Sequence, residues 1–127
     1  MQLQFEEKWD KTISEQDRSK IEEVFNKTKT HVEEVIEVVT LWHATNHKGE
    51  LLVTALIHNR SDESLHFRDT TVQYQTIHQL IAKRSFTISN LTIPPQTSMP
   101  WTFIFPNAKS DEPELGIIRI NNLGGAK

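Results

Sequence analysis

The chain has 127 residues, enough for one compact domain with a short extra element but not for two independent cores. Its net charge is −3, and its basic residues are interleaved with acidic ones, so it lacks the basic stripe that nucleic acid requires. It contains no cysteine, which removes disulfides, zinc–thiolate sites and thiol chemistry.

The opening "MQLQFEEKWDK" has no apolar stretch that could serve as the hydrophobic region of a signal peptide, and no segment approaches the roughly 20 apolar residues of a membrane helix. The default expectation is a cytoplasmic protein without membrane insertion, with cell-envelope association as the other location considered. The chain divides near residue 31 into a polar, helix-prone part and a part rich in alternating β-branched and aromatic residues. In "TISEQDRSKIEEVFNKTKT", Ser14 is a helix N-cap, and Glu15 and Asp17 place negative charge in the first turn. Ile21, Val24 and Phe25 form a narrow apolar stripe, so this helix needs the rest of the domain to pack against. Phe5, Trp9 and Ile13 supply an apolar anchor ahead of it.

From residue 35 the period becomes two. "VIEVVTLWHA" reads as a long strand with Ile36, Val38, Trp42 and Ala44 on one face and Val39, Leu41 and His43 on the other. "TNHKGE" is a hairpin connection, and "LLVTALIHN" is a strand with Leu51, Val53, Ala55 and Ile57 inward and Thr54 and His58 outward. "RSDES" is a polar turn, after which Leu65 and Phe67 open a short extended stretch. "TTVQYQT" sets Val72 and Tyr74 against Gln73 and Gln75, and "LIAKRSFTI" is a strand ending before "SNLTIPPQTS". In "IPPQTSMPWTFIFP", Met99, Trp101, Phe103 and Phe105 share one parity. Proline cannot donate a ladder hydrogen bond, so Pro94 and Pro95 mark a bend, Pro100 sits near the strand start and Pro106 ends it. "LGIIRINN" is one more short strand.

This pattern predicts a mostly β protein: an antiparallel, immunoglobulin-like β-sandwich with one N-terminal α-helix, a small barrel being the alternative architecture. Residues 1–30 form the helical segment packing on the sandwich, 31–123 the sandwich and 124–127 a disordered tail. Trp42, Val53, Ile57, Phe67, Trp101, Phe103 and Phe105 are the expected core. Each fully buried aromatic stabilises by about 2–3 kcal/mol.

"GELLVTALIHNRSDESLHFRDTTVQYQ" followed by "IPPQTSMPWTFIFP" resembles the SLAP domain, a family of Bacillus-like Gram-positive bacteria named for S-layer assembly proteins of an accessory Sec system. The matching positions include Gly49, Asn59, Phe67, Pro95, Pro100 and the run Trp101, Thr102, Phe103, Phe105 and Pro106. "WDKTISEQDR" is similar to the segment preceding the strands, so the resemblance covers 9–106. It implies an all-β, immunoglobulin-like domain linked to the cell envelope or its export machinery, and no enzyme activity.

The residues carry no catalytic motif. A GxSxG elbow and a phosphate-cradling glycine loop are both absent from the sequence. His31, His43, His47, His58, His66 and His78 raise a metal or small-ligand alternative, in which His43 and His58 meet across a hairpin. The leading expectation is a non-catalytic protein-interaction module without cofactor, binding a protein or envelope component through a sheet edge or loops. Asp62, Glu63 and His66 at the polar turn, and Gln73, Tyr74 and Gln75 on the following strand, are its candidate contacts. A homodimer through the N-terminal helix is one arrangement considered.

Overall fold

The computed structural model describes residues 1–31, 34–108 and 115–121. The expected tail at 124–127 lies outside the described residues. The first segment contains β1 (Gln2–Leu3) and two helices, α1 (Glu7–Thr12) and α2 (Glu15–Thr28). The Glu6 carboxylate accepts from the backbone nitrogens of Lys8 and Trp9 at 2.9 and 3.4 Å and so caps α1. The Ser14 hydroxyl accepts from the Asp17 nitrogen at 3.1 Å and caps α2. Arg18 locks the two helices together: its guanidinium lies 2.9 Å from the Asp10 carboxylate and 4.6 Å over the Phe5 ring.

Six further strands follow: β2 (Ile36–Thr45), β3 (Leu51–Asn59), β4 (Leu65–Gln75), β5 (Leu80–Ile93), β6 (Thr97–Phe105) and β7 (Ile117–Asn121). They form two sheets, one with the order β1-β6-β3-β2 and the other β5-β4-β7. The chain therefore changes sheet after β3, after β5 and after β6, in the Greek-key manner of β-sandwiches. All pairings are antiparallel except β1 with β6, where Gln2 and Leu3 run parallel to Thr97 and Ser98.

Between the sheets, Leu51, Val53, Ala55 and Ile57 of β3 and Met99, Phe103 and Phe105 of β6 meet Phe67, Val72 and Tyr74 of β4. Phe86 stands edge-on to Phe103 and Phe105, with ring centroids 5.4 and 5.6 Å away. A separate apolar layer lies on the other face of β2 and β3: Ile21 and Phe25 of α2 pack with Leu41 and Leu56, flanked by Phe5, Trp9, Val39 and Trp42. The helices thus form a third layer on one sheet.

Where the sequence reading gave one N-terminal helix the structure has two, α1 and α2, and four further details differ. A β-bulge interrupts the pairing of β2 between Thr40 and Trp42, with Leu41 as the extra residue. The bulge inverts the alternation beyond it, so Trp42 pairs with Thr54 and joins the helix-side layer instead of the inter-sheet core. His43 moves inward, and its Nδ1 lies 2.7 Å from the Tyr74 hydroxyl. Second, β5 does not stop at residue 88 but continues to Ile93, because its far end still pairs with His66 and Leu65. Third, Leu65 and Phe67 are not a separate stretch; they open β4, which absorbs an irregularity at Asp69, where φ is +46°. Fourth, Pro100 lies well inside β6, paired with Leu56. It is tolerated because β1 accompanies β6 only at Thr97 and Ser98, so beyond them one side of the strand needs no donor. Trp101, half-buried, touches the inter-sheet core and also stacks on Trp9 of α1, with centroids 6.3 Å apart.

Candidate interaction surface

The two sheets present very different outer faces. On the β1-β6-β3-β2 sheet the outer face is covered by α1 and α2, and beneath the end of α2 lies a buried polar cluster. His58 of β3 is wholly buried there. Its Nε2 lies 2.6 Å from the Thr28 hydroxyl and its Nδ1 2.5 Å from the Ser98 hydroxyl. The Thr28 hydroxyl donates its single hydrogen to the Val24 carbonyl at 2.7 Å, so it accepts from His58 Nε2. Nδ1 is then the acceptor for Ser98, which specifies one neutral tautomer. Desolvation, reinforced by the nearby Arg60 guanidinium, pushes the His58 pKa down to about 4.

Arg60 ties the same region to the end of α2 and the start of β2. Its Nη2 donates to the Thr28 carbonyl at 2.7 Å and its Nη1 to the Glu34 carbonyl at 3.1 Å. Nη2 also lies 2.9 Å from Glu37 Oε1, an ion pair whose angle is not that of a hydrogen bond. These groups are linked to one another and hold the helix layer down.

Among the described residues no helix lies over the outer face of the β5-β4-β7 sheet. Val72, Tyr74, Ala82 and Ile118 point into the core, so their alternates point out. Cross-strand register sets outward residues in rows: Lys83–Gln73–Arg119, Ser85–Thr71–Asn121 and, past the register shift between Tyr74 and Gln75 that turns Leu80 out, Leu80–Gln75–Ile117. The nine positions contain no carboxylate and two cations, on a chain of net charge −3. Leu80 and Ile117 are 52% and 51% exposed, and Ile77 at the β4–β5 turn is 91% exposed. Such a face offers side-chain amides, hydroxyls and two cations to a partner, bordered by aliphatic anchors.

The sequence-predicted contacts are divided by this geometry. Gln73 and Gln75 lie side by side on the bare face. His66 lies on the same strand beyond the Asp69 irregularity, 3.5 Å from the Thr92 hydroxyl. Asp62 and Glu63 are exposed in the turn between β3 and β4, away from the glutamines. Tyr74 is corrected: it is wholly buried, accepts from the Gly116 nitrogen at 2.8 Å and bonds His43, so it is an internal strut and not a surface contact. Val53, Ile57, Phe67, Phe103 and Phe105 are buried, whereas Trp42 and Trp101 are half-buried. Lys83, Arg119, Leu80 and Ile117 were not singled out from sequence. Parity alone places Leu80 inward with Ala82; the register shift between Tyr74 and Gln75 turns it out, and which strands would adjoin was not legible.

His43 and His58 do not meet, since one faces the core and the other the helix layer. Among the described residues no group of three or more His, Cys, Asp or Glu could hold a metal ion. Among them, too, no helix is long and apolar enough to cross a membrane.

The SLAP domain family model matches residues 3–118, nearly the whole chain. The chain belongs to the SLAP domain family. No curated protein and no solved structure matches it. In this SLAP domain the residues that carry the family pattern are structural. Gly49, at φ +78°, closes the β2–β3 turn, where the Asn46 side chain accepts from the Lys48 and Glu50 nitrogens at 3.0 and 2.9 Å. Asn59 is wholly buried and donates to the carbonyls of Glu63, Ile93 and Pro94. Its Oδ1 accepts from the Ser61 nitrogen and hydroxyl. The residues that mark this chain as a SLAP domain thus secure the sandwich, and the bare outer face lies apart from them.

Proposed function

We propose that this SLAP domain is a non-catalytic protein-interaction module of cell-envelope, S-layer or secretion assembly, and that it presents the outer face of the β5-β4-β7 sheet to its partner. The observation that carries this reading is the asymmetry of the two faces. One is sealed by helices over an apolar layer; the other displays amides, cations and exposed aliphatic side chains with nothing packed on them among the described residues. Rigid sheets suit this work, because side chains on neighbouring strands are held at fixed spacing and no backbone needs ordering on binding. The family links the domain to accessory secretion, which makes an envelope component or a secretion-machinery protein the partner of first choice, met at the cytoplasmic side of the envelope.

The test is site-specific cross-linking. A photoreactive residue at position 73 or 75 should yield discrete adducts in envelope and secretion-machinery fractions, and Lys83→Glu with Arg119→Glu should remove them. The same probe at exposed Glu22 on α2 serves as the control. Equal labelling from positions 22, 73 and 75 would refute the assignment of the face.

A further inference from the structure

Edge strands of the two sheets come together along both sides of the sandwich, but the two sides are filled differently. On the β5/β6 side, Arg84 Nη1 donates to the Ile104 carbonyl at 2.9 Å and its guanidinium covers the Phe86 ring at 5.1 Å. On the opposite side the edge strands β2 and β7 border a groove of about 500 Å³. Its apolar lining includes exposed Ile117 together with Ile36, Val38, Ile118 and Ile120, and three of these last four, all except Ile118, are only partly buried at the margin of the inter-sheet core. Both borders are edge strands. The Arg60 nitrogen donates to the Val35 carbonyl, which makes 35 with 60 and 37 with 58 the mutually bonded pairs. The backbone N–H and C=O of Ile36 and Val38 are therefore turned toward the open edge. Likewise, alternate residues of β7 turn their backbone groups away from β4.

We propose that the edge of β7 turned away from β4, unpaired among the described residues, takes up one extended strand from a partner protein, with alternating aliphatic and acidic residues. Backbone pairing supplies the affinity common to strand addition, and alternate side-chain positions supply the specificity. The strand's inward side chains lie beside Ile118 and Ile120 and cover Ile36 and Val38. Its outward side chains extend the row Lys83–Gln73–Arg119, so an acidic residue next to Arg119 is the complementary choice. The groove's own carboxylates belong to the β2 side: Glu37 is held by Arg60, and Glu34 precedes that strand. This inference rests on the reading of the domain as an interaction module and adds the chemistry of the partner segment.

The experiment uses the full chain and three labelled peptides spanning the 5 residues of β7. One alternates valine with glutamate, one alternates valine with lysine, and one is the glutamate peptide N-methylated at alternate nitrogens. Fluorescence polarisation should show saturable binding of the glutamate peptide, about tenfold weaker binding of the lysine peptide, and none of the N-methylated one. Arg119→Glu, an exposed position, should reverse the charge preference. Equal binding of the two charged peptides, no binding of either, or insensitivity to Arg119→Glu overturns the proposal. So does a concentration-dependent dimer that blocks the peptide, since a second copy would then own the edge. If the peptides fail while cross-linking through positions 73 and 75 survives, the strand-addition site falls and the face-mediated module stands.

Discussion

Asn59 at the end of β3 and Pro94 just past β5 are joined by a side-chain hydrogen bond, with Nδ2 of Asn59 3.0 Å from the Pro94 carbonyl oxygen. Asn59 ends a strand of one sheet and Pro94 follows a strand of the other, so this amide pins the β3–β4 turn to the proline bend that launches β6. The prolines set where β6 begins, and Asn59 sets where that start sits in space.

Asn59→Asp tests the pin. A buried carboxylate cannot donate to the carbonyls of Glu63, Ile93 and Pro94 and would face them with negative charge. The expected loss is about 3 kcal/mol, from unsatisfied carbonyls and the cost of burying charge. Urea denaturation measures it. A variant unfolding at the wild-type midpoint would show that the turn is held by other means.

His58 makes stability depend on pH. Its folded pKa, about 4, lies below the ordinary value of 6.5, so the unfolded chain binds the proton more readily. The His58 contribution is therefore complete above pH 6.5, declines as pH falls toward 4 and is lost below that. A shift of this size corresponds to about 3 kcal/mol. Arg60, Glu37 and His31 act on the same ring, the first and last opposing its protonation and Glu37 favouring it. Unfolding midpoints between pH 7 and pH 4 should fall more steeply for the wild type than for His58→Gln. Parallel profiles would remove His58 from the account.

Two glycine substitutions should differ. A β-carbon on Gly116 would collide with the Gln75 carbonyl and crowd the Tyr74 ring, both held by the β4–β7 pairing. One on Gly49 meets nothing within 4 Å and suffers only from its φ of +78°. Gly49→Ala should cost about 1 kcal/mol and Gly116→Ala about 2 kcal/mol or more. Thermal melts give the order directly, and a reversed order would contradict the close approach at Gly116.

Trp9 and Trp101 stack at 6.3 Å with planes 25° apart, across the junction of α1 and β6. Trp101→Ala should cost about 3–5 kcal/mol. A double-mutant cycle with Trp9→Ala should show about 1 kcal/mol of coupling. Strict additivity would mean that the rings share a crevice without stabilising one another.

Much of this architecture follows from local chemistry. Ser14 could cap only a helix starting after it, and the parities of 51–59 and of 99–105 sort side chains onto two faces because successive strand residues point to opposite sides. The run Trp101, Thr102, Phe103 with Phe105 and Pro106 also identified the family. Parity states which residues share a face, however, and not what lies against that face. Leu41 is one aliphatic residue among several, and nothing local marks it as the bulge that sends Trp42 to the helices and His43 to Tyr74. Thr54 and His58 read as outward, yet both are buried with Leu56, because the helix layer, distant in sequence, settles over that face and sets Thr28 against His58. The basic row Lys83–Gln73–Arg119 draws on three strands whose adjacency arises from sheet order, a relation between remote segments settled by packing as a whole.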